Sequence, residues 1–158
     1  MAAFRAPVAI ALGSNLGDRQ AHLDFAIGEL RRLIQPLRIS TFIETDPVDV
    51  PDVQSPFLNG VVVGETTLAP GDLLAAVLAI ERMRGRQRPH RHAARTLDLD
   101  LILYGDWLVN EPGLAVPHPR FRERRFVLAP LAEVAGGWVD PVTGQTVSAL
   151  LLALPRPS

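Results

Sequence analysis

The residues best suited to chemistry lie in the stretch Arg95-Thr96-Leu97-Asp98-Leu99-Asp100-Leu101-Ile102-Leu103-Tyr104. Read as an extended strand with period two, it puts Asp98 and Asp100 on one face and Leu97, Leu99, Leu101 and Leu103 on the other. Aspartate is a poor strand residue, and two in an otherwise apolar strand cost stability unless something compensates. At about 3.3 Å of rise per residue their Cα atoms lie about 7 Å apart. That spacing lets both carboxylates converge on one divalent cation, or bracket a pair of cations about 3.5–4 Å apart. Ligands made only of oxygen suit Mg²⁺ or Mn²⁺ rather than zinc. The alternative is a strand whose polar face simply meets water.

The distribution of positive charge bears on that choice. All 16 basic residues are Arg, so phosphate-binding or Schiff-base chemistry that needs Lys is excluded. Cys is absent as well, which removes disulfides, thiolate nucleophiles and thiolate metal sites. Residues 82–95 carry six Arg and no acid, and residues 120–125 carry four Arg against Glu123. These local charges of +6 and +3, set against a total of −1, leave −10 on the remainder. Charge sorted this sharply points to a multiply charged anion as ligand. Two acidic metal ligands and two Arg clusters form a layout for phosphoryl transfer, which needs positioning and charge stabilisation more than a covalent group. His118, held between Pro117 and Pro119, is either a surface histidine or a donor to a phosphate oxygen.

Elements that could position these residues can be read along the chain. Its 158 residues suit one domain, and 47% hydrophobic with 21% charged residues is ordinary globular composition. Val8–Leu12 reads as a buried strand, Gly13–Asp18 as a turn with helix N-cap chemistry, and Arg19 to Ile34 as a helix stopped by Pro36. Leu37–Glu44 reads as a strand with Ile39, Thr41 and Ile43 on one face. Residues 45–56, with three Pro and three Asp, read as a long loop of the kind that often serves as a lid. Phe57–Thr66 is a strand, Pro70 to about Arg84 a helix, and 86–95 an exposed basic loop leading into the Asp98/Asp100 strand. A short hairpin near Trp107-Leu108-Val109 and helices over Val127–Val134 and Thr146–Leu154 complete the chain. The order strand-helix-strand-strand-helix-strand predicts an α+β, ferredoxin-like fold: an antiparallel sheet with helices packed on one face.

A resemblance narrows the chemistry. Ala11-Leu-Gly-Ser-Asn15, Phe57-Leu-Asn59, Arg95-Thr-Leu-Asp-Leu-Asp100, Val116-Pro-His118 and Arg124-Arg-Phe126 occur in this order over about residues 8–135. This set resembles the pattern of the 6-hydroxymethyl-7,8-dihydropterin pyrophosphokinase family, enzymes of folate biosynthesis with a ferredoxin-like fold. The resemblance implies transfer of the β,γ-pyrophosphate of ATP to the hydroxymethyl oxygen of the pterin, leaving AMP. It implies Asp98 and Asp100 as ligands of two Mg²⁺ ions, and Arg86 and Arg95 with the two aspartates as the catalytic set. Glu81, Arg86, Arg88, Arg95, His118 and Arg124 match ATP-contacting positions. Phe57 and Phe126 match the aromatics that sandwich the pterin, and Asn59, with backbone near Thr45 and Val48, matches the groups that read its polar edge. Loops 46–56 and 86–94 match lids that close over the substrates. The chain departs from the pattern at His92, where many members carry Trp, at Ala93-Ala94, and at Gly113 and Ala115.

A single pyrophosphokinase domain over 1–158 is therefore expected, acting on ATP and the pterin, with no nucleic acid and no membrane as partner. The chain is expected to be a cytoplasmic monomer. The readings in competition are an RNA-binding ferredoxin-like module and a catalytically weak relative that binds pterin or ATP. RNA-binding sheets of this fold display aromatics, whereas two Asp on the face would repel phosphate without a metal.

Overall fold

The structure is a computed structural model that describes residues 4–46, 56–84 and 97–155. Its centre is β1 (Ala6–Ser14), flanked by β4 (Phe57–Thr66) and β5 (Asp98–Tyr104), all antiparallel. The outer edge beyond β4 is shared by β2 (Gln35–Ile39) and β3 (Ile43–Thr45), so the five-stranded sheet runs β2/β3-β4-β1-β5. This is the ferredoxin-like arrangement expected from the element order.

Both faces of the sheet are covered. Val8, Ile10 and Leu12 of β1 pack with Leu23, Ala26 and Leu30 of α1 (Arg19–Leu30) and Leu73, Val77 and Ile80 of α2 (Pro70–Met83). Ala9 packs on the opposite side with Val61 and Val63 of β4 and with Val127, Leu128 and Leu131 of α3 (Arg125–Ala135). Val147 and Leu150 of α4 (Val147–Ala153) close that second core. The uninterrupted apolar run of β1 thus has a physical reason: a strand buried on both faces has no place for polar alternation. Covering the second face with α3 and α4 adds a layer to the two helices expected on the first.

Local sequence accounts for most boundaries. Asp18 caps α1, its Oδ1 accepting from Ala21 N at 3.1 Å. Pro70 sits at the first turn of α2, where its missing N–H is harmless. Several expectations shift. The turn foreseen at Gly13–Asp18 begins only after Ser14, because Gly13 and Ser14 pair with Asn59 and Leu58 and continue β1. The first helix ends at Leu30 rather than Ile34, and Pro36 lies inside β2. The strand foreseen at Leu37–Glu44 is broken at 40–42, where the Ser40 hydroxyl accepts from Val61 N and Ser40 N donates to Val61 O. Ile39 therefore pairs with Val62 and Ile43 with Asn59, which puts them on opposite faces. Finally, a bulge lets Ile10 pair with Leu101 and Ala9 with Leu103. The extra residue turns Leu103 into the α3 core beside Ile102, away from Leu99 and Leu101. The expected hairpin forms as β6 (Val109–Glu111) and β7 (Leu114–Val116), a few residues later than Trp107.

Candidate active site

The cross-strand register builds the site from the sheet outward. Ile43 of β3 pairs with Asn59 of β4, Asn59 with Gly13 of β1, and Gly13 with Asp98 of β5. Directly paired residues share a face, so the Asn59 amide and the Asp98 carboxylate stand on one side with only a glycine between them. The next pairs along, Val61–Ala11–Asp100, put the second aspartate on the same side. Below this row that face is filled by the α3 core; at the row it is polar. Asp98 and Asp100 are half-buried while Leu97, Leu99 and Leu101 are buried, so period two holds up to the bulge.

Asn59 is held rather than free. It is buried, and its Nδ2 donates to Thr45 Oγ1. Thr45 pairs with Phe57, whose ring flanks the position above Gly13. These residues form one half of the site, joined to the other through Gly13. That other half comes from the segment after β7. The amide N–H of His118 donates to Ile102 O of β5 at 2.9 Å, and Nδ1 of its ring accepts from Arg120 N at 3.1 Å. Because Nδ1 is an acceptor, the neutral ring carries its proton on Nε2. Burial, with Arg124 and Arg120 nearby, pushes the imidazole down to about 4, against the opposing pull of Asp98. His118, Arg124 and Asp98 are thus electrostatic neighbours. The Arg124 guanidinium lies 5.5 Å over the centre of the Phe126 ring, which ties Phe126 to the same group.

Glu81 sits differently from a ligand-facing side chain. It is only 2% exposed, and its Oε2 accepts from Leu99 N at 2.6 Å. That amide lies between Asp98 and Asp100, so α2 grips the strand at the point where both aspartates project. Val48, Arg86, Arg88 and Arg95, with most of the two expected lid loops, lie outside the described residues.

Two contributors escaped the sequence reading. Arg19, at the start of α1, donates to Pro56 O at 2.9 Å and pairs with Glu44, joining the chain on both sides of residues 47–55. These groups, with Asn15, Leu16 and Gly17, line a cavity of about 380 Å³. An Arg just after a helix cap carries no local signal of such a role. Asp140 is fully buried and fixes the turn between His118 and Arg124: it accepts from Arg122 Nε and from Nη2 at 2.9 Å, with Val142 N and Thr143 Oγ1 as further donors. Burial alone would raise this carboxyl, but those hydrogen bonds and the Arg122 charge hold it below its ordinary value.

A divalent cation fits the donor chemistry. Asp98 and Asp100 offer hard carboxylate oxygens on one face, and no cluster of three or more His, Asp or Glu among the described residues could hold an ion by itself. Such a pair suits Mg²⁺, which keeps water and substrate phosphates among its ligands.

Known proteins resemble the chain over most of its length. Residues 9–136 match the family described as 7,8-dihydro-6-hydroxymethylpterin-pyrophosphokinase. The chain is similar to the 2-amino-4-hydroxy-6-hydroxymethyldihydropteridine pyrophosphokinase of Synechocystis sp., 41% identical over 90% of this chain and 73% of the relative. The protein of the same name from Bacillus subtilis is 45% identical over 79% of this chain and 75% of its own. The crystal structure of wild-type Plasmodium falciparum HPPK-DHPS superposes with a TM-score of 0.75 over 94% of this chain and 44% of that one. At 13% identity that likeness speaks for the fold alone.

Proposed function

The chain belongs to the 7,8-dihydro-6-hydroxymethylpterin-pyrophosphokinase family, and from that premise we propose how its own residues carry out pyrophosphate transfer from ATP to hydroxymethyldihydropterin in folate synthesis. The acceptor's flat ring is held between Phe57 and Phe126, and its polar edge is read by Asn59 with the backbone near Thr45 and Val48. The acceptor hydroxyl oxygen forms a bond to the β-phosphorus of ATP. The bond from that phosphorus to the oxygen bridging to the α-phosphate breaks, AMP leaves with the bridging oxygen, and the hydroxyl proton is released. Asp98 and Asp100 would hold Mg²⁺, expected as two ions, which would neutralise phosphate charge. His118 donates from Nε2–H, and Arg124 supplies a fixed positive charge beside it. Arg86, Arg88 and Arg95 complete the charge around the phosphates, and Glu81, accepting from Leu99 N, positions the strand that carries the two aspartates.

The observation that carries this reading is the row Asn59–Gly13–Asp98. Two strand spacings separate its ends by about 10 Å. A bicyclic ring seated on Asn59, with its exocyclic hydroxymethyl group toward the aspartates, would lie along this row. No described helix is long and apolar enough to cross a membrane. One domain over 1–158, a monomer and a cytoplasmic location complete the proposal.

The test is AMP release from ATP and 6-hydroxymethyl-7,8-dihydropterin, with and without Mg²⁺. Turnover should require both substrates and the metal, and Asp98→Ala or Asp100→Ala should abolish it while the circular dichroism stays native. A protein that makes no AMP, or an Asp98→Ala variant with full activity, would refute the assignment.

A further inference from the structure

We propose that Gly13 is a positioning residue for the acceptor: its missing side chain is the floor of the site, and the space it leaves is what allows the Asn59 amide and the Phe57 ring to meet the acceptor. The inference rests on the acceptor reading under Proposed function. Gly13 lies inside β1, paired on both sides, and glycine there weakens a strand. No left-handed backbone calls for it, since positive φ occurs at Gly17, Gly105, Gly113 and Gly144 and not at Gly13. The reason is space. A Cβ at position 13 would stand 2.8 Å from Asn59 Oδ1 and 3.6 Å from Phe57 Cδ1.

The identity of the obstructed atoms sets the consequence. Among the described residues, the three atoms nearest that Cβ all belong to the side chains of Asn59 and Phe57, not to backbone. At Gly60, by contrast, a Cβ would strike the Phe42 ring at 2.6 Å, and at Gly64 it would strike Ile34 and the Pro36 carbonyl. Substitution there disturbs packing; at Gly13 it disturbs the acceptor half alone. Asn59 has little room to yield, because it is buried and its Nδ2 is bonded to Thr45 Oγ1. An added methyl must push the amide off Thr45, and the groups that read the ring edge then lose their alignment.

The experiment measures Gly13→Ala, Asn59→Ala and the double variant in full-length protein. KM is taken separately for ATP and for the pterin, the pterin Kd comes from its fluorescence with a non-hydrolysable ATP analogue bound, and thermal unfolding is followed in parallel. Gly13→Ala should raise pterin KM and Kd by roughly 10–100-fold, the loss expected when hydrogen bonds to the ring edge are misaligned. KM for ATP should stay within about twofold, and the unfolding temperature should fall no further than in Asn59→Ala, which loses the same hydrogen bond to Thr45. Because Asn59→Ala removes the obstructed oxygen, adding Gly13→Ala to it should cost little more. Unchanged pterin binding in Gly13→Ala, equal losses for ATP and pterin, or additive losses in the double variant would overturn the role of Gly13. If the wild-type protein neither binds nor turns over the pterin, the acceptor reading itself falls, and this inference falls with it.

Discussion

Replacing Asp140 with alanine should destabilise the protein by about 3 kcal/mol, the lower end of the 3–5 kcal/mol expected for breaking a buried ion pair from one side. The lower end applies because the carboxylate is completely buried while the Arg122 side chain remains 25% exposed and can partly rehydrate. Alanine also removes the acceptor for Val142 N and Thr143 Oγ1. For a chain of this size, with about 2–4 °C per kcal/mol, the unfolding temperature should fall by roughly 6–12 °C. Thermal and urea unfolding followed by circular dichroism measure it. The pH dependence gives a second readout. The native pKa lies below the ordinary value of 3.8, so the contribution is complete above that value and is lost as pH falls through the lower native one. The gap between wild type and Asp140→Ala should therefore be constant near neutrality and narrow only in acid. Asp140 also holds the turn at Phe121–Glu123 between His118 and Arg124, so the variant should lose ATP affinity well below its unfolding temperature. A loss under about 1 kcal/mol, the range of solvent-exposed pairs, would refute this account.

Removing the Glu81 carboxylate leaves the buried Leu99 N–H between the two aspartates without that acceptor, so Glu81→Ala should cost about 1.5–3 kcal/mol and raise the Mg²⁺ concentration needed for half-maximal rate. Glu81→Gln keeps an oxygen acceptor and should recover most of both; equal defects in the two variants would show that charge rather than positioning matters. In metal-free protein the His118 ring should titrate near 4 by NMR and stay neutral from pH 5 upward. Since the unfolded chain takes up that proton first, the stability it contributes should fade as pH drops from about 6.5 toward 4. A His118 resonance titrating at 6.5 would contradict its placement between Arg124 and burial.

Much of this protein is written locally. The strand Phe57–Thr66, the Asp18 cap, Pro70 at the start of α2 and the shared face of Asp98 and Asp100 all follow from periodicity and capping over a few residues. The segregation of Arg, and the absence of Lys and Cys, limited the chemistry before any fold was known. Those features depend on neighbours in the chain, and so a single sequence carries them.

What depended on distant partners was decided only by the tertiary structure. The bulge that turns Leu103 to the other face, and the break that puts Ile39 and Ile43 on opposite sides, are set by pairing with β1 and β4, which period two cannot register. Gly13 read as part of a turn because glycine usually marks one. In the sheet it is a strand residue, whose value lies in the contact it does not make with Asn59, 46 positions away. Glu81 shows the same limit: the resemblance matches it to a nucleotide-lining position, and only the packing of α2 on β5 reveals that its carboxylate accepts from the Leu99 amide. The sequence by itself determined which groups could do the chemistry; how they stand toward one another came from strand register and helix packing, because those are properties of pairs far apart in the chain.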